Sequence, residues 1–114
     1  MARFNYLELP SNDVAVAKAF YARAFGWSFT DFGPTYAATT SGDTDLGLQG
    51  DAADKTALLL PVIEVDDLEA AEEAVWAAGG EISLPIFAFP GGRRFHFRDP
   101  DGHELAVMQP AAGA

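Results

Sequence analysis

Two stretches of the 114-residue chain, LELPSNDVAVAKAFYARAFGW (7–27) and PVIEVDDLEAAEEAVWAAGGE (61–81), are versions of one pattern. That repetition limits the fold more than any other feature. The stretches align with Asp13 on Asp67 and Gly26 on Gly80. Each opens on an apolar, strand-like run. The Asp that follows is placed as a helix N-cap, since its carboxylate can accept the amide N–H bonds left open in a first turn. Val14, Ala17, Tyr21 and Ala24 in one, and Leu68, Ala71, Val75 and Ala78 in the other, recur at helical spacing and predict one apolar face per helix. Gly26 and Gly80 predict the left-handed residue that stops each helix. Strand-like segments follow: WSFTDF, YAATT and DLGLQ in the first half, EISLPIF, RRFHFR and HELAVMQ in the second.

Both halves therefore read β-α-β-β-β. Module one covers about 3–50 and module two about 57–109, joined by the polar bridge GDAADKT within a single domain (1–110), with a frayed tail at 111–114. The expected fold class is α+β: two tandem βαβββ modules whose mixed sheet forms a cup-shaped, concave surface, with the helices outside.

Composition narrows the partners. The formal net charge is −10 and the sequence pI near 4.3, a surface that repels nucleic acid and anionic membrane, so neither is an expected partner. There is no cysteine, which removes disulfides and thiolate metal sites and suits a reducing cytoplasm. The longest apolar run, ALLLPVI, is too short to span a bilayer, and the start lacks a signal-peptide pattern. A cytoplasmic location is the expectation.

FHFRDPDGHELAV (95–107) holds both histidines of the chain together with three acids, and asks whether it is a metal site or a polar hairpin. DPDG is a strong turn signal: proline suits the first central position and Gly102 the positive φ of a following bulge. With Pro100, Asp101 and Gly102 as the loop, Arg98 faces Glu104, Phe97 faces Leu105, His96 faces Ala106, Phe95 faces Val107 and Arg94 faces Met108. Phe95, Phe97, Leu105 and Val107 then share the helix-side face, while Arg94, His96, Arg98, Glu104, Ala106 and Met108 share the other. Arg98 and Glu104 are expected to pair across the strands. The polar groups scatter along this register, so the stretch reads as a hairpin and not as a calcium loop.

AFYARAFGW, VDDLEAAEEAVWAAGG and FRDPDGHELAV together resemble the vicinal oxygen chelate superfamily, which includes glyoxalase, bleomycin resistance proteins and extradiol dioxygenases. The resemblance runs from Phe4 to about Gln109. It implies paired βαβββ modules forming a cup, commonly completed by a homodimer. It also implies metal ligands on the first and last strand of each module, at Tyr6, Gly47, Leu60 and Ala106 here. Leucine, alanine and glycine offer no side-chain donor, so no metal and no cofactor are expected. A relocated set drawn from Glu8, His96, Glu104, Asp45 and Gln49 is the alternative.

The remaining candidates describe a pocket. Tyr6, Glu8, Tyr36, Arg94, His96 and Met108 are the expected ligand-binding residues, with Phe4 on the same strand face as Tyr6. Arg94 could grip an anion through its planar fork, yet the acidic chain suits a cation, so the ligand charge stays open. The leading expectation is metal-free binding of a small aromatic or amphipathic molecule, for sequestration or carriage. The alternative is a glyoxalase-type lyase or isomerase, with Glu8 or His96 moving the proton.

Overall fold

The computed structural model describes residues 2–112, so the end of the expected frayed tail, 113–114, lies outside the described residues. The described residues form two compact units: Asn5–Leu60, and residues 61–112 together with residues 2–4. Each carries one helix and a four-stranded mixed sheet.

Module one runs β1 (Arg3–Pro10), α1 (Val14–Phe25), β2 (Thr30–Asp31), β3 (Tyr36–Ala38) and β4 (Asp45–Gln49), in sheet order β2-β3-β4-β1. Strands β1 and β4 are parallel, with Tyr6 opposite Asp45 and Glu8 opposite Gly47, while β3 returns antiparallel to β4. Asp13 caps α1 by accepting from the Val16 amide at 3.2 Å, and Gly26 ends it at φ 73°. Of the expected stripe, Val14, Ala17 and Tyr21 are half-buried and Ala24 is exposed. Val16, Phe20 and Phe25 of α1 are exposed.

The first half's strands are shorter than the sequence suggests. WSFTDF yields only Thr30–Asp31, because Trp27 folds back to stack on Tyr21 and Phe25. YAATT stops at Ala38, because the Thr39 hydroxyl and the Ser41 and Gly42 amides turn to the Asp45 carboxylate.

Module two runs β5 (Leu60–Glu64), α2 (Leu68–Ala77), β6 (Glu81–Phe89), β7 (Gly92–Arg98) and β8 (Glu104–Pro110), in sheet order β5-β8-β7-β6. Strands β5 and β8 are parallel, with Val62 opposite Ala106. This matches Glu8 opposite Gly47 in module one, so the internal repeat extends to strand register. The β7–β8 hairpin has the expected pairing at each of its five predicted positions, Arg94–Met108 through Arg98–Glu104. Gly102 adopts φ 87° in its turn. Pro85 sits in edge strand β6 between Leu84 and Phe87, where the register shifts, as a residue without an N–H should.

Asp67 caps α2 through the Ala70 amide at 3.0 Å, and the Gln109 side chain accepts from the Leu68 amide at 2.9 Å. The left-handed residue after α2 is Gly79 at φ 93°, one place before the expected Gly80. Leu68, Phe95 and Val107 form the buried core, with Ile63, Ala71, Val75, Ile82 and Phe97 against it. Phe95 is 0% exposed, a burial that stabilises by about 1.5–3 kcal/mol. Among the described residues no helix is long and apolar enough to cross a membrane.

Candidate functional site

Each module gathers a polar group on the sheet face turned away from its helix. In module two, alternation along β7 puts Phe95 and Phe97 against α2 and leaves Arg94 and His96 on the other face. His96 is 4% exposed. Its Nδ1 lies 3.1 Å from Glu104 Oε2, which also accepts from the Ser83 hydroxyl at 3.3 Å. Burial holds the His96 pKa below its ordinary value, helped by the Arg94 charge and opposed by Glu104. The imidazole is therefore neutral at pH 7. Facing a carboxylate, Nδ1 must carry the proton and donate, which leaves a lone pair on Nε2. That nitrogen is buried and has no hydrogen-bond partner among the described residues. Arg94 lies over two rings of β6, with Cζ 5.2 Å from the Phe87 centroid and 5.3 Å from that of Phe89. The Phe87 ring also approaches His96 at 6.0 Å. Met108 sits opposite Arg94 in the ladder.

In module one the group is Tyr6, Glu8 and Tyr36. The two tyrosine hydroxyls are hydrogen-bonded to each other, and the Tyr36 hydroxyl donates to Glu8 Oε1 at 3.3 Å. Glu8 is 2% exposed. Both hydroxyls lie over Gly47: a Cβ there would come 2.7 Å from Tyr6 Cζ and closer still to either hydroxyl. Gly47 is thus required by close approach and not by a turn. Leu60 and Ala106, the corresponding positions in the second repeat, are fully buried.

The six expected site residues thus fall into two sets, Tyr6, Glu8 and Tyr36 in module one and Arg94, His96 and Met108 in module two. Phe4, expected beside Tyr6, is exposed. Glu104 turns to His96 and Ser83 and away from the expected partnership with Arg98, whose Nε lies 4.0 Å from Glu81. Phe87 and Phe89 escaped the sequence reading, although their spacing of two on β6 places both on one face. Asp99, Asp101 and His103 bring ligand atoms within 4.8 Å of one another at the β7–β8 turn. The Asp99 carboxylate there accepts from the Asp101 and His103 amides, which is the work of a turn.

A family profile described as the Glyoxalase/Bleomycin resistance protein/Dioxygenase superfamily matches residues 3–107. The chain belongs to this superfamily. It is 28% identical over 123 residues to "Putative glyoxylase CFP32" of Mycobacterium bovis and of Mycobacterium tuberculosis, with 92% of the chain covered. It spans only 44% of the length of those relatives. Among solved structures, a superfamily member from Vibrio splendidus superposes with TM-score 0.67 at 19% identity, covering 97% of this chain and 100% of the other. Methylmalonyl-CoA epimerase from Mycobacterium tuberculosis gives 0.75 at 14% identity, covering 95% and 87%. At such identities the likeness is one of fold.

Proposed function

We propose that the protein binds a small aromatic or amphipathic molecule without a metal, for sequestration or carriage, as a cytoplasmic homodimer. The ligand-contacting residues of this reading are Arg94, His96 and Met108 within module two and, taken separately, Tyr6, Glu8 and Tyr36 within module one. One observation carries the reading: the space over Gly47, where the superfamily resemblance implies a ligand side chain, is filled by the Tyr6 and Tyr36 hydroxyls. Leu60 and Ala106 bring only carbon to the equivalent positions, so the residues present do not fit a divalent metal.

Elemental analysis of tag-free protein, before and after incubation with excess zinc, nickel and iron, tests it. The expected result is no stoichiometric metal in either sample. A near-stoichiometric transition metal overturns the reading.

A second reading rests on the His96–Glu104 pair. A neutral imidazole oriented by a carboxylate, with the lone pair of Nε2 unbonded, has the arrangement of a general base. It would remove a proton beside a carbonyl and return it, as an isomerase does, with Arg94 stabilising the oxyanion. Solvent-deuterium incorporation into 2-oxoaldehyde hemithioacetals or 2-methylmalonyl thioesters, abolished by His96→Gln, would favour turnover over carriage. No incorporation leaves binding as the function.

A further inference from the structure

Module one has an open groove of about 530 Å³ where α1 ends, separate from the Tyr6–Glu8–Tyr36 group. Its floor is Leu7 and Leu46, which alternate along their strands with Tyr6, Glu8 and Gly47 and so belong to the opposite sheet face. Trp27 forms one wall and is 42% exposed. Its ring is stacked on Tyr21 at 5.6 Å and on Phe25 at 5.3 Å, while Tyr21 and Phe25 are 6.4 Å apart. These three separations are nearly equal, so the two rings crowd one side of the indole and do not sandwich it. Trp27 therefore keeps part of its surface exposed.

The facing wall is the β3–β4 loop, tied down by Asp45. Burial pushes the Asp45 carboxyl upward, but hydrogen bonds from Ser41, Thr39 and Gly42 outweigh it and hold the pKa below the usual value. Asp45 thus stays ionised with its oxygens committed to the loop. By contrast, the hydroxyls of Ser28, Thr40 and Thr44 line the groove and make no hydrogen bond among the described residues. No lysine or arginine lines it.

We propose that this groove is a binding site for a neutral, polyhydroxylated ring: a saccharide unit. Such a ring has an apolar C–H face to lay on Trp27 and a rim of hydroxyls that exchange hydrogen bonds with Ser28, Thr40 and Thr44. The absence of a cationic side chain in the lining speaks against an anion, and apart from Asp45 the polar lining is made of the Ser and Thr side chains Ser28, Thr39, Thr40, Ser41 and Thr44, which match a rim of neutral hydroxyls. The volume falls within the roughly 300–1,000 Å³ of small-molecule sites. The site stands independently of the function proposed above, because it shares none of that site's residues.

The chain has two tryptophans, so Trp76→Phe leaves Trp27 as the sole indole reporter. Trp76 lies on α2 in the other module. Emission of the W76F protein is followed during titration with methyl glucoside, methyl mannoside, methyl galactoside and maltotriose, with benzyl alcohol as an aromatic probe poor in hydroxyls. Saturation-transfer NMR with the same ligands guards against binding that leaves emission unchanged. The expected result is saturable binding of at least one glycoside, weakened about fivefold by Thr40→Val or Thr44→Val through loss of one hydrogen bond. Each variant keeps side-chain shape, and circular dichroism checks its fold. Absence of saturable binding by every glycoside in both measurements overturns the proposal. So does benzyl alcohol binding as tightly as the best glycoside, or indifference of folded Val variants.

Discussion

The two modules have one frame and two fillings. Parallel pairing sets Glu8 against Gly47 in one and Val62 against Ala106 in the other, and the antiparallel neighbours follow the same register. Through that register, Tyr36 corresponds to Arg94, Ala37 to Phe95, Ala38 to His96 and Gln49 to Met108. Module two places its bulk on the helix side: Phe95 is the largest fully buried side chain, under an α2 whose Leu68 is equally buried. Module one has Ala37 there, beside a buried Leu48, under an α1 with no buried residue, and it adds bulk on the other face, where Tyr6 and Tyr36 close over Gly47. The repeat therefore fixes where strands lie and leaves open which face carries the mass. Polar function then goes where each face has room: a tyrosine–glutamate contact in module one, a histidine–carboxylate pair in module two.

The sharpest way to break this comparison is to empty the heavier core. Phe95→Ala should cost about 3–5 kcal/mol, since the ring is wholly enclosed by Leu68, Val107 and their neighbours. Urea unfolding monitored by far-ultraviolet circular dichroism would read the loss. The corresponding site in module one already carries alanine at Ala37. A cost below about 1.5 kcal/mol would mean that the two helix-side cores are not built differently.

A smaller effect is expected at Gly47. Gly47→Ala drives a methyl into the Tyr6 and Tyr36 hydroxyls and should destabilise by about 1–3 kcal/mol. Tyr6→Phe combined with Tyr36→Phe removes the closest atoms, so the triple variant should be less unstable than additivity demands. Ala106, the counterpart, already carries a Cβ in a fully buried position, which gives the comparison its control. Strict additivity at Gly47 would show that the tyrosines can move aside, and the carrying observation for metal-free binding would weaken with it.

How much of this was legible in the sequence depends on the distance over which each contact acts. The β7–β8 hairpin read correctly at every pair because DPDG fixes the turn, and a fixed turn fixes parity for seven residues on either side. Both N-caps were equally local. The left-handed glycine after α2 was misplaced by one residue because Gly79 and Gly80 are adjacent and composition cannot choose between them. The Tyr6–Tyr36 contact joins residues thirty apart on strands separated by β4, beyond the reach of any local pattern. Glu104 shows a subtler limit. Register placed it opposite Arg98, as observed, but its side chain leans diagonally to His96, a neighbour equally available on the same face. An exposed arginine has water as its alternative, whereas a buried imidazole N–H has none. The carboxylate goes where desolvation makes it worth more.

That preference predicts the smallest of these effects, in the acid dependence of stability. The folded pKa of His96 lies below its ordinary value because the ring is buried and Arg94 is near. As the pH falls, the unfolded chain therefore takes up its proton first, and stability declines from the ordinary histidine range down to the folded pKa, levelling off below it. Above that window the residue contributes no slope. His96→Gln should remove this component, so the difference between wild-type and H96Q unfolding free energies should vary with pH only through that interval. Module one has Ala38 at the corresponding place, so no counterpart of this titration exists there. If the difference instead grew in favour of the wild type as the solution became more acidic, the ring would be charged in the native state, Nε2 would carry a proton, and the isomerase reading would lose its base.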